Sequence, residues 1–133
     1  MGSGSKIRFK EIRLLPTAFT VDVWVGQDYE RMAKLFKKRY GGSKEYHMPE
    51  LQSANFVATI HGTKKSKVGE SICIVMVLED FSPTIMAHET THVCWHLSNV
   101  CNIELNYDSQ EWHACMVETI MEECLDKKTF KKL

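Results

Sequence analysis

The sequence has no apolar run long enough to cross a membrane, and no stretch like the hydrophobic region of a signal peptide. It also lacks any Cys-x-x-Cys pair. An odd number of thiols scattered among apolar residues is typical of reduced, buried cysteines rather than of a disulfide framework. We therefore predict a soluble, cytoplasmic chain with no membrane anchor. The five cysteines are Cys73, Cys94, Cys101, Cys115 and Cys124.

Lysine and arginine are absent from residues 70–126, although the formal net charge of the whole chain is zero. Thirteen of the 17 basic residues lie in residues 1–69, and 11 of the 17 acidic residues lie in residues 70–126. The basic half could contact nucleic acid or an acidic protein. Such charge is more often a solvated surface, so a nucleic-acid partner is not favoured.

The chain is long enough for one domain with a modest core, and too short for two of ordinary size. We assign this domain to residues 6–126, between a Gly/Ser leader at residues 1–5 and a loose basic tail at residues 127–133.

Hydrophobic periodicity predicts four strands and one helix before residue 80. The last of these strands is apolar on both faces, so we expect it to be covered on both sides. The predicted elements are strands over 6–13 and 19–25, a helix over 28–40 with Tyr29, Met32, Ala33, Phe36 and Tyr40 on its apolar face, and strands over 54–61 and 70–79 joined by a basic hairpin tip.

The motif His-Glu-x-x-His occupies residues 88–92, in a segment whose Ser-Pro start at residues 82–83 predicts a helix. Residues four apart on a helix are separated by about 40° around its axis, so His88 and His92 project side by side and can bind one metal ion. Glu89 would lie beside the open position of the metal and accept a proton from water there. A solvated surface helix is the alternative, but the preceding residues 85–87 are too apolar for an exposed turn.

A catalytic zinc ion ordinarily takes three protein ligands, so the residues after the motif matter. Trp95 and Ser98 stand where a metzincin requires glycine and histidine, which excludes that group. The motif helix is predicted to continue to about residue 102, and a second helix to cover residues 110–126. Glu111 lies in the first turn of this second helix, nineteen residues beyond His92.

Together, the run Ala87-His88-Glu89-Thr90-Thr91-His92 and the run Asp108-Ser109-Gln110-Glu111-x-x-Ala114 resemble the gluzincin arrangement. They are more closely similar to the small zincin-like metallopeptidases of tailed bacteriophages, over residues 84–126. The resemblance implies that Glu111 is the third ligand of a Zn²⁺ ion and that Glu89 is the general base of a peptidase acting in the host cytoplasm. One position departs from the family, because Cys115 replaces an aromatic residue.

Glu111 also has a structural alternative. Asp108-x-x-Glu111 is a helix-starting pattern in which the carboxylate reaches back to the N–H of the cap residue. Glu118 and Glu122 share its helix face, where solvated or supporting roles are more common.

Other residues could contribute to the site. His96 continues the row of His88 and His92, but lies too far along the axis to reach the same ion easily, so a packed or hydrogen-bonded role is favoured. His113 is about 200° around the helix from Glu111, so both cannot face one metal. Further candidates for stabilising a developing oxyanion are His47, His61 and Tyr107.

The expected fold is α+β, a minimal zincin with a small mixed or antiparallel sheet beneath the motif helix. The resemblance implies that an extended peptide adds to the strand nearest the site, Ile72 to Leu78 or its hairpin partner. Two other functions stay open. One is a zinc-stabilised protein that captures a host defence protein without cleaving it. The other is a DNA-associated protease resembling the SprT-like group.

Overall fold

The computed structural model describes residues 6–14, 19–41, 55–61 and 72–133, which form an α+β arrangement of three helices and a five-stranded mixed sheet. The predicted hairpin tip and His47 lie outside the described residues. Among those described, no helix is both long and apolar enough to cross a membrane. The elements are β1 (Arg8–Arg13), β2 (Thr20–Val25), α1 (Tyr29–Tyr40), β3 (Phe56–His61), β4 (Ile72–Leu78), α2 (Pro83–Val100), α3 (Gln110–Leu125) and β5 (Lys131–Lys132).

The order of strands across the sheet is β3-β4-β2-β1-β5. β2 and β4 run parallel, with Thr20 opposite Cys73 and Val25 opposite Leu78. The other three neighbouring pairs are antiparallel. Because β4 lies between β3 and β2, both of its edges are used, whereas β3 ends the sheet in the part of the chain described.

Two apolar layers cover the two faces of the sheet, as period-two alternation requires. Val21 and Val23 of β2 pack with α2 and α3, whereas Trp24 packs with α1. The expectation that β4 is covered on both sides is confirmed. Its residues Ile74, Met76 and Leu78 belong to the α2/α3 layer, and Cys73, Val75 and Val77 belong to the α1 layer.

The aromatic stripe of α1 is mainly confirmed. Met32, Phe36 and Tyr40 are buried against the sheet, and Tyr29 packs at their edge. Ala33 is exposed, so its predicted burial is wrong. The larger side chains of Met32, Phe36 and Tyr40 fill the space between α1 and the sheet, and the methyl group of Ala33 is not needed there.

The helix α2 begins at the predicted proline and ends at Val100, two residues earlier than predicted. Asn102 has a φ of 55°, a left-handed conformation that asparagine tolerates and that commonly ends a helix. The N–H of Ile103 then donates to the carbonyl of Ser98 at 2.9 Å. This closure turns the chain back towards α3.

The basic C-terminal segment was expected to be loose, and that expectation is wrong. Residues Lys127–Thr129 form a 3₁₀ turn, and β5 then pairs with β1. Phe130 anchors the segment, since it is 7% exposed and meets the ring of Phe81 at 5.0 Å between centroids. Fully burying an aromatic side chain contributes about 1.5–3 kcal/mol. Burial of Phe130 therefore orders the segment, although the lysines beside it remain in solvent.

Buried hydroxyl and thiol groups, Tyr40 and Cys124 among them, make the stability of the fold sensitive to alkaline pH. Burial raises the pKa of the Tyr40 hydroxyl well above its usual 10.0, and the nearby Asp22 charge adds to the shift. Burial also raises the pKa of the Cys124 thiol from 9.0 to about 12. Both groups therefore stabilise the fold fully below their unfolded pKa values, and lose that contribution as pH rises towards the folded values.

We expect the urea-measured free energy of unfolding of the reduced protein to fall as pH rises above about 9, by up to about 1.4 kcal/mol per pH unit for each group that titrates. Cys124→Ala should remove part of this slope at the lower end of the window, and Tyr40→Phe part of it above pH 10. If the free energy of unfolding fell with pH equally steeply in the parent and in both variants, this explanation would be wrong.

Candidate metal centre

One helix, α2, brings three potential ligands together. The donor atoms of His88, Glu89 and His92 all lie within 4.8 Å of one another. The two imidazole rings are 5.0 Å apart between centroids and inclined at 65°. The i, i+4 spacing thus places the two histidines side by side, as the sequence predicted.

The two histidines and the glutamate differ in burial. His88 and His92 are exposed, because they lie on the face of α2 opposite to Met86, Val93 and Leu97. Glu89 is only 5% exposed. The Glu89 carboxylate is therefore shielded from bulk water, whereas the imidazoles of His88 and His92 are accessible to solvent.

The Glu89 carboxylate is not fully partnered. Its Oε1 lies 3.8 Å from His88 Nε2, and its Oε2 is buried and has no hydrogen-bond partner among the residues that the structure describes. A buried carboxylate oxygen ordinarily has a hydrogen-bond partner, so this oxygen is suited to accept a proton or to lie beside a cation. The two imidazole nitrogens are donors that fit a divalent transition metal, and a carboxylate beside them adds the negative charge that such an ion favours.

The two threonines of the motif, Thr90 and Thr91, help to position the helix that carries His88, Glu89 and His92. Thr90, next to Glu89, is fully buried, and its hydroxyl donates to Met76 Sδ on β4 at 3.9 Å. On the outer side, the hydroxyl of Thr91 donates to the carbonyl of Ala87 at 2.9 Å. Thr90 therefore helps to hold the helix on the sheet, and Thr91 bonds to the backbone of its own helix.

Glu111 lies in the first turn of α3, exposed, and is not a member of the three-residue group. Its Oε1 accepts a hydrogen bond from the thiol of Cys115 at 3.6 Å, along its own helix. The N-cap of α3 is Ser109 rather than Asp108, so the predicted cap pattern does not begin this helix. A metal-binding role for Glu111 stays a prediction.

The other histidines occupy distinct places. His96 is half-buried, and its Nδ1 is hydrogen-bonded to the hydroxyl of Thr59 on β3, which confirms a hydrogen-bonded role. Burial, and then the charge of neighbouring His92, lower the pKa of His96. His113 Nδ1 is hydrogen-bonded to the carbonyl of Ser109 at 2.9 Å, while its Nε2 is buried without a partner among the described ranges.

Thr59 is a residue that sequence reasoning missed. It lies opposite Ile74 in the β3–β4 register, and Ile74 faces α2, so Thr59 is on the same side of the sheet as the motif. A threonine in an alternating strand gives no signal of this kind by itself. Only the strand register reveals that it meets His96.

No protein-family model, curated protein or solved structure matches this chain. The chemistry of the site is therefore indicated by the residues of α2 and by the strand and helix beside it.

Proposed function

We propose that the protein is a zinc-dependent metallopeptidase with a zincin-like fold of the gluzincin type. His88, His92 and Glu111 would hold Zn²⁺, and Glu89 would be the general base. The observation that supports this most directly is the buried Glu89 carboxylate, with one unpartnered oxygen, within 4.8 Å of two exposed imidazoles. A solvated surface helix has no reason to bury an acid in this way.

A zinc ion held by these residues would supply Lewis acidity at the scissile carbonyl. The chain itself would move the proton. Glu89 Oε2, which has no hydrogen-bond partner in the described part of the chain, would accept a proton from the attacking water. The protonated carboxyl would then donate it to the nitrogen of the leaving amine.

To bind the metal, the Glu111 carboxylate would have to leave its contact with Cys115. In the structure its carboxylate is held by a thiol donor, which is among the weakest hydrogen-bond donors of proteins. Its exposed position leaves it free of packing. A bond from the carboxylate to a divalent cation is stronger than a hydrogen bond from a thiol. Cys115 would therefore donate to Glu111 only in the metal-free chain.

The substrate of this peptidase would be an extended peptide or protein segment. Of the two strands considered from sequence, β4 has no free edge because β2 and β3 pair with it. β3 ends the sheet among the described residues and is linked to α2 through Thr59 and His96. Strand addition at β3 would lay a peptide alongside the exposed histidines.

Cleavage of a quenched fluorescent peptide library tests this function. We expect turnover by the zinc-loaded protein, loss of turnover after chelation, and recovery on adding zinc, since ligand removal takes away the Lewis acid. His88→Ala should stay inactive after the same addition. Cleavage that survives chelation, or equal cleavage by His88→Ala, would contradict the proposal. Zinc binding without any cleavage would instead support the binding-protein alternative.

A further inference from the structure

His96 and Thr59 connect the motif helix to the edge of the sheet. His96 lies one turn beyond His92 on α2, and its Nδ1 is hydrogen-bonded to the hydroxyl of Thr59. Thr59 belongs to β3, whose other edge has no neighbouring strand in the described part of the chain. A peptide added to that edge would therefore pass beside His96.

The second nitrogen of His96 is available for such a peptide. Nε2 makes no hydrogen bond to any described residue, and it is not among the buried unpartnered atoms, which are Glu89 Oε2 and His113 Nε2. The ring as a whole is partly exposed. Burial lowers the pKa of His96, so the ring is neutral at pH 7 and carries one N–H, on either Nδ1 or Nε2.

We propose that His96 binds the peptide substrate, with the Thr59 hydroxyl donating to Nδ1 so that Nε2–H donates to a main-chain carbonyl of the peptide lying along β3. This inference rests on the proposed peptidase function. Thr59 is then a positioning residue, because it acts only by selecting the tautomer of His96. The pair would give the edge strand a side-chain donor at the point where the peptide leaves the sheet for the metal.

A donor of this kind suits an extended peptide whatever its sequence. Main-chain carbonyls recur at every residue and alternate in direction along a strand, so one fixed N–H can select the register without reading a side chain. Since the ring is half-buried and held at Nδ1, little rotamer freedom is lost when Nε2 is used.

The tautomer can be tested without any activity. In ¹⁵N NMR spectra of the zinc-loaded protein at pH 7.5, His96 Nδ1 should have the shift of an unprotonated nitrogen and Nε2 that of a protonated one. Thr59→Ser, which keeps the hydroxyl, should preserve this pattern. Thr59→Val, which has the same shape without the hydroxyl, should mix the two tautomers. A proton on Nδ1 in the parent would overturn the proposal.

Binding to the peptide is tested with two zinc-chelating probes. Acetohydroxamate reports the metal alone, and a set of tripeptide hydroxamates reports the metal plus peptide contacts. We expect His96→Phe to bind acetohydroxamate like the parent but the best tripeptide hydroxamate about three- to tenfold more weakly, the effect of one hydrogen bond. His96→Gln, whose amide can donate from a similar position, should recover part of that loss.

The outcomes separate the two claims. If neither probe binds the parent, the metal centre and the proposed function fail, and this inference fails with them. If acetohydroxamate binds but tripeptide hydroxamates bind no tighter, or lose no affinity in His96→Phe, only the role of His96 is overturned. Loss of zinc in His96→Phe would also overturn it, because the residue would then be supporting the metal.

Discussion

Replacing Glu89 with glutamine is expected to abolish peptide cleavage while zinc binding is retained. The substitution keeps the shape of a side chain that is 5% exposed, but an amide oxygen cannot take and pass on a proton. Loss of a general base ordinarily lowers turnover by about 10²–10⁴-fold. His88 and His92, which lie on the exposed face of the helix, are unchanged in this variant.

Although Glu89→Gln should lose turnover, we do not expect it to lose stability. Metal-free Glu89→Gln is expected to unfold at the same or a higher urea concentration than the parent, because it replaces a buried charge that has an unpartnered oxygen. Glu30→Gln is the matched control, since Glu30 is exposed on α1, on the other side of the sheet, and should change neither turnover nor stability. Turnover by Glu89→Gln at the parent's rate would show that this carboxylate is not the base.

The largest expected loss of stability follows from replacing Asp22 with alanine. Asp22 is 1% exposed on β2, and its carboxylate accepts hydrogen bonds from Arg39 Nε at 2.7 Å and from the hydroxyl of Tyr40. The same hydroxyl accepts from Trp24 Nε1 at 3.0 Å. Removing the carboxylate leaves the buried Tyr40 hydroxyl without its acceptor and the half-buried Arg39 guanidinium with only the exposed Glu11 as a partner among the described residues. We expect this to cost about 3–5 kcal/mol.

Glu11→Ala provides the comparison, because Glu11 pairs with the same Arg39 at 2.9 Å but is exposed. An exposed pair of this kind contributes about 0–1 kcal/mol. Urea unfolding of both variants in the metal-free state measures the difference. A loss in Asp22→Ala no larger than in Glu11→Ala would contradict the network. The folded fraction of Asp22→Ala should still bind zinc, since the network lies on the α1 side of the sheet.

Local periodicity predicted the elements whose residues interact with near neighbours in sequence. The alternation of β2, the two apolar faces of β4 and the stripe of α1 are each visible within one short segment. Each was therefore predicted, with Ala33 of α1 as the exception. Asp22 and Phe130 were missed because their burial depends on distant partners. An acid in a strand becomes tolerable only when Arg39 and Tyr40 approach it from α1, and Phe130 is held only because Phe81 and the sheet leave room for its ring.

In the candidate site too, features set within one helix were predictable, and features that depend on packing between elements were not. His88 and His92 were predictable because four residues on one helix fix their separation. The burial of Glu89 depends on how α2 sits on the sheet, which no spacing within the motif determines. The position of Glu111 depends on the turn through Asn102 and on the angle between two helices, so the distance in sequence from His92 could not decide it.

The most direct measurement is the zinc content of the purified protein, determined by elemental analysis beside His92→Ala and Glu111→Ala. With three ligands acting together, the parent should hold about one zinc per chain, and each variant should lose it after dialysis. Glu30→Gln, treated identically, should retain it. Zinc retained in Glu111→Ala would contradict the three-ligand site, and a parent that takes up no zinc when it is supplied in excess would contradict the metal centre itself.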